Sequence, residues 1–106
     1  GTSSPARCVR EANFLKAVSG NPHCIQLLGG LRHMDNLTLI LEYFPHDRPS
    51  SYMTRMSLDE IRDYMHAMFT AVGTLHAHNI LHRDIKPGNF LYDRKRRQYR
   101  LIDYGL

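Results

Sequence analysis

The sequence holds only two cysteines, Cys8 and Cys24, too few for a disulfide scaffold and too far apart for a close metal-binding pair. They read as buried or free thiols of a reducing compartment, so the chain is expected to be intracellular. No apolar run approaches the length that crosses a bilayer, and the first residues lack a signal-peptide pattern, so no membrane partner is expected. Internal repeats and low-complexity stretches are also lacking. What is present, 42% hydrophobic and 23% charged over 106 residues, is the balance of one ordinary globular core, and it excludes global disorder.

The net charge of +4 invites a nucleic-acid reading. Arg94, Lys95, Arg96, Arg97 and Arg100, however, supply five of the fourteen basic side chains, and without them nine bases face ten acids. The basicity is one short segment, which reads as a solvated turn, and no direct nucleic-acid partner is expected. Tyr92 and Tyr99 flank this turn at mirrored positions and are expected to pair across two strands.

Along the chain, Val9, Ala12, Leu15 and Val18 recur every three residues, so a helix with one buried stripe is predicted from about Arg7 to Val18, ended by Gly20, Asn21 and Pro22. Two antiparallel strands are predicted over 24–28 and 37–44, with Asp35 and Asn36 as the turn. Pro45 and Pro49 mark a linker, and 45–52 is a plausible boundary between two halves. Ser57-Leu58-Asp59-Glu60 predicts a capping box, with Glu60 reaching back to the serine amide. Behind it, Ile61, Met65, Met68, Val72 and Leu75 form the clearest helical stripe, closed by Asn79 in a left-handed conformation. A loop over 81–88, a strand over 90–92, the basic turn and a strand over 99–102 complete an α+β order.

The segment His82-Arg83-Asp84-Ile85-Lys86-Pro87-Gly88-Asn89 is followed by Asp103-Tyr104-Gly105. Phosphoryl transfer needs a carboxylate to receive the substrate hydroxyl proton, oxygen ligands for magnesium, and a cation near the moving phosphate. Asp84, Asn89, Asp103 and Lys86 are those residue types, and a short loop plus a hairpin can bring them to one spot. Magnesium takes few protein oxygens and completes its shell with water and nucleotide phosphate.

This pattern resembles the catalytic loop and metal-binding motif of the protein kinases. The lysine two residues after Asp84 resembles the serine/threonine branch. The resemblance implies part of a protein-kinase-like fold containing helix C, the family's fourth and fifth strands, the hinge, helices D and E, the catalytic loop and the following hairpin. Residues 1–41 would end the small lobe, 42–56 would form hinge and linker, and 57–106 would begin the large lobe. It implies ATP and magnesium as cofactors, with Asp84 and Lys86 catalytic and Asn89 and Asp103 holding the metal. Glu11 would sit where the family's glutamate pairs the ATP-binding lysine, and Leu41 at the gatekeeper position. The backbones of Glu42 and Phe44 would bind adenine above Leu91. Leu15, Leu27, His82 and Tyr104 would stack between the lobes, and Arg83 would contact the activation segment.

A closer likeness lies in Tyr43-Phe44-Pro45-His46-Asp47, in 58–65, and in Pro87-Gly88-Asn89-Phe90-Leu91-Tyr92-Asp93-Arg94. These resemble the cell-division-cycle-seven (Dbf-dependent) kinases. That implies a nuclear serine/threonine kinase of DNA replication initiation and cell-cycle control, with a Dbf-type regulatory subunit and the replicative helicase as protein substrate. Tyr104 departs from the family's usual phenylalanine. No glycine-rich loop precedes the first helix, residues 1–10 hold no lysine, and the sequence stops before an activation segment. The isolated piece is therefore expected to be inactive, and a pseudokinase or non-catalytic binding role is the alternative. Zinc binding by His76, His78 and His82 competes poorly, because no cysteine lies near and His82 already has a packing role.

Overall fold

The computed structural model describes residues 5–102, with side chains from Cys8 onward. The expectations that rest on Asp103, Tyr104 and Gly105 lie outside the described residues. Helix α1 (Pro5–Ala17) is followed by strands β1 (Leu27–His33) and β2 (Asn36–Leu41). A short helix α2 (Pro49–Tyr52) leads into the long helix α3 (Leu58–Ala77), and a hairpin of β3 (Phe90–Asp93) and β4 (Gln98–Leu101) ends the order. The α1 stripe is half kept: Leu15 and Val18 are buried, whereas Val9 is exposed.

The first hairpin is displaced from its predicted span. β1 begins at Leu27 and runs through the glycine pair to His33, with Gly30 opposite Leu39 and His33 opposite Asn36. The turn is therefore Met34-Asp35, with Met34 at a φ of 55°, and Asn36 already belongs to β2. Cys24 and Ile25 are drawn elsewhere: the Ile25 amide donates to the Leu101 carbonyl at 3.1 Å, and the Leu101 amide donates to the His23 carbonyl at 2.8 Å. A tertiary pairing with β4 thus takes residues that local pattern assigns to the first strand.

Helix α3 starts as its sequence predicts, with the Ser57 hydroxyl accepting the Glu60 amide at 3.2 Å. The return half of the capping box is absent, because the Glu60 carboxylate turns inward. It lies 2% exposed, bound by Arg94 through Nε at 2.8 Å and Nη2 at 3.0 Å, and by the Tyr92 hydroxyl at 2.6 Å. The buried face of α3 is accordingly Glu60, Tyr64, Ala67, Ala71 and Leu75. Met68 and Val72 pack at its edge, while Ile61 and Met65 of the predicted stripe are exposed. Asn79 closes the helix with a φ of 58°.

Small alanines on α3 leave room for the rings of the second hairpin. Tyr92 and Tyr99 pair across β3 and β4, with ring centroids 4.7 Å apart and planes within 2°. Tyr64 and Phe90 meet edge to face at 5.1 Å, as do Tyr52 and Tyr92. The basic turn is not simply solvated. Arg94 binds Glu60, Arg96 binds Asp93 at 2.9 Å, Arg97 lies 3.6 Å from Asp63, and Arg100 binds Glu42 at 2.9 Å. Arg94 and Arg97 fasten the hairpin to α3 and Arg100 fastens it to Glu42 just after β2, whereas Arg96 closes the turn on its own strand.

Candidate active site

The loop after α3 is built on one buried imidazole. His82 Nδ1 accepts the Asp84 amide at 3.2 Å, so its hydrogen resides on Nε2, which donates to the Ile102 carbonyl. The Ile102 amide in turn donates to the Asn89 carbonyl at 3.0 Å. Both polar groups of the peptide chain just before Asp103 are therefore tied to the loop that carries Asp84 and Asn89. Arg83, between His82 and Asp84, is held at a φ of 71°, a left-handed conformation that costs energy for a long side chain.

Three of the four residues read as phosphoryl-transfer machinery converge. Asn89 is buried and donates through Nδ2 to the Asp84 carbonyl at 3.0 Å and to Asp84 Oδ2 at 2.9 Å. Both amide hydrogens are thereby used, and Oδ1 is the Asn89 side-chain atom left to act as a ligand. Lys86 Nζ lies 3.5 Å from Asp84 Oδ2, and both side chains are more than half exposed. The carboxylate thus stands at a solvent-facing position with an exposed cation beside it. Asp103, the fourth residue, lies outside the described residues.

The residues read as nucleotide-binding also share one place. Glu11, Leu41, Glu42, Phe44 and Leu91, joined by Leu15, Ile25 and Ile102, line a cleft of about 240 Å³. Its walls come from α1, the end of β2 and the second hairpin. Among the described residues, neither the Glu42 carbonyl nor the Phe44 amide forms an intramolecular hydrogen bond, whereas the Glu42 amide donates to Gln26 at 2.9 Å. An apolar cleft with a free carbonyl and a free amide two residues apart fits a flat heteroaromatic ring with a donor and an acceptor on one edge. Leu27, assigned to a stack with Leu15 and His82, is partly buried against the same core.

Comparison with known sequences shows the family. The family description "Protein kinase domain" matches residues 2–106. The chain belongs to the protein kinase family. Over 105 residues it is 45% identical to a probable serine/threonine-protein kinase cdc7 of Dictyostelium discoideum, covering 99% of this chain and 10% of that protein. It is 39% identical to a probable cell division control protein 7 homolog 2 of Encephalitozoon cuniculi, again over 99% of this chain and 30% of that protein. It is 33% identical to the cell division cycle 7-related protein kinase of Homo sapiens, covering 18% of it. The chain therefore spans from about a tenth to three tenths of the length of these kinase relatives.

Two further features of this kinase chain escape a reading by residue type. Arg100 joins Glu42, just after β2, to β4, and Glu60 joins α3 to the turn, yet both look like surface charges in sequence. The available signal was positional. Glu60 lies in 58–65 and Arg94 ends the run from Pro87, two of the stretches that carry the likeness to the cell-division-cycle-seven kinases. The Arg94 guanidinium holds the Glu60 carboxyl below its ordinary range, with the Tyr92 hydroxyl adding to the effect and burial opposing it. The histidines show no shared metal geometry: His78 Nδ1 donates to the Thr74 carbonyl at 2.9 Å. Among the described residues no three His, Cys, Asp or Glu side chains gather around a common metal position.

Proposed function

We propose that the protein containing this chain is a serine/threonine kinase that transfers the ATP γ-phosphate to protein hydroxyls. The observation that carries the proposal is the Asp84 carboxylate, which has Asn89 at 2.9 Å and Lys86 at 3.5 Å. Asp84 orients the substrate hydroxyl and accepts its proton, with the Asn89 amide holding the carboxylate in one orientation. Lys86 offsets charge on the transferred group, a role suited to an exposed, flexible ammonium. Asn89 Oδ1 and Asp103 would hold magnesium, which supplies charge neutralisation between the phosphates. In the cleft, the Glu42 carbonyl and the Phe44 amide pair with adenine, Leu91 lies beneath it, and Leu41 bounds it at the gatekeeper position. Glu11 faces the same cleft and completes the nucleotide site by pairing the ATP-binding lysine.

Residues 1–41 then end the small lobe, 42–56 form the hinge and linker, and 57–106 begin the large lobe. By its likeness to the named relatives the kinase acts in the cell cycle, and by its likeness to the Dbf-dependent kinases it acts in the nucleus at replication initiation. A Dbf-type subunit as activator and the replicative helicase as substrate belong to the same proposal.

The test is Asp84→Asn in the full-length protein. Transfer to protein substrate should fall at least about a hundredfold, the usual contribution of a positioned base. Nucleotide binding and the melting temperature should stay near wild type, since the Asp84 side chain is 61% exposed. Loss of folding instead would mean that Asp84 is structural.

A further inference from the structure

We propose that Arg100 is a positioning residue for nucleotide recognition, acting through the hinge segment without touching the ligand. This rests on the kinase reading above and adds a determinant of ATP affinity to it. The guanidinium makes four contacts at once. Its Nε donates to Glu42 Oε1 at 2.9 Å, and Nη1 donates to the carbonyls of Pro22 at 2.6 Å and Tyr99 at 2.8 Å. Its central carbon lies 4.7 Å from the centroid of the buried Phe44 ring. Arg100 is also the cross-strand partner of Leu91.

The residues it holds are therefore the three around which the adenine site is drawn. Glu42 is locked from both sides: Oε1 also accepts the Gln26 amide at 3.0 Å, and the Glu42 amide donates to the Gln26 carbonyl at 2.9 Å. With side chain and amide both fixed, the Glu42 Cα is anchored, which narrows the directions its carbonyl can take. Phe44, held under the guanidinium, anchors the other end of the two peptide planes that carry the Glu42 carbonyl and the Phe44 amide. The pair is mostly withdrawn from water, with side chains 18% and 22% exposed, so it is not a rim contact that solvent erases. Lysine cannot reproduce it, because a point charge lacks the planar fork that bonds and stacks simultaneously.

The experiment uses the full-length kinase as wild type, Arg100→Met, Arg100→Lys and Glu42→Gln, read as KM for ATP, KM for a peptide substrate, kcat at saturating ATP, and melting temperature. Arg100→Met should raise the ATP KM about tenfold, the loss expected for a hydrogen bond to a charged group. Peptide KM and saturating kcat should stay within about twofold, a split that mere loosening of the fold does not give. Arg100→Lys should recover part of the loss, and Glu42→Gln should raise the ATP KM in the same sense. If Arg100→Met does not fold, Glu42→Gln decides, since it weakens the clamp and keeps the Glu42 backbone. An unchanged ATP KM in the folded variants overturns the positioning role and leaves the kinase reading standing. A wild-type protein that neither binds ATP nor transfers phosphate overturns both.

Discussion

Single side chains differ here in what their polar atoms have to lose. The Tyr92 hydroxyl, fully buried, donates to Glu60 at 2.6 Å. The Tyr64 hydroxyl, packed in the same aromatic cluster, is buried without a hydrogen-bond partner. Removing each oxygen should therefore act in opposite directions. Tyr92→Phe should cost about 1.5–3 kcal/mol, because it deprives a buried carboxylate of a donor. Tyr64→Phe should be neutral or stabilise by up to about 1 kcal/mol, because it removes an oxygen that lost its water and gained nothing. Urea denaturation of the two variants checks the contrast. Equal losses would mean that the Tyr64 hydroxyl finds a partner in solution.

At the scale of elements, α3 depends on its first turn and on its far end in different ways. Ser57 caps an amide at the surface, so Ser57→Ala should cost about 1 kcal/mol. Leu75 is fully buried near the end of the helix, where Leu75→Ala should cost about 2–5 kcal/mol by leaving a cavity. Thermal melts followed by circular dichroism would measure both. A Ser57 effect as large as that of Leu75 would show that the cap also supports the inward turn of Glu60. That turn explains why the outward apolar stripe misleads. Ile61 and Met65 repeat at helical spacing, yet the charge at Glu60 and the ring of Tyr64 set the buried face. The Arg94 pairing rotates it toward the hairpin.

For the whole molecule, buried ionisable groups set the pH limits of the fold. Hydrogen bonds from Arg94 keep Glu60, and those from Arg96 keep Asp93, below the ordinary carboxylate range. Groups with lowered values in the fold contribute stability above their unfolded values and lose it as pH falls. Burial raises the phenols of Tyr52, Tyr64, Tyr92 and Tyr99, and such groups contribute below their unfolded value and lose it as pH rises. The melting temperature should thus fall below about pH 4 and above about pH 10, with a shallower decline of the plateau already below about pH 6.5, because burial and Arg100 hold the His23 imidazole below its ordinary value. Glu60→Gln should lower the plateau and flatten its acid limb. An acid limb of unchanged slope in that variant would assign acid unfolding to other carboxylates.

Much of this was legible along the chain. The α3 cap at Ser57, its end at Asn79, the Tyr92–Tyr99 pair and the grouping of Asp84, Lys86 and Asn89 depend on neighbours a few residues away or on a motif of fixed spacing. Local backbone preference and side-chain type therefore suffice for them. The course of residues 24–33 and the destination of the basic segment were not. Cys24 and Ile25 join a strand more than seventy residues later, and Glu60, Arg94, Glu42 and Arg100 pair across separations of 34 and 58 residues. A charge reads as solvated until the fold brings a partner to it. By itself the sequence determined the span and the Ser57 cap of α3, the second hairpin, and the residue types gathered in the loop after α3. Only the tertiary structure decided which charges are withdrawn from water, because desolvation and pairing depend on distances that the order of residues does not contain.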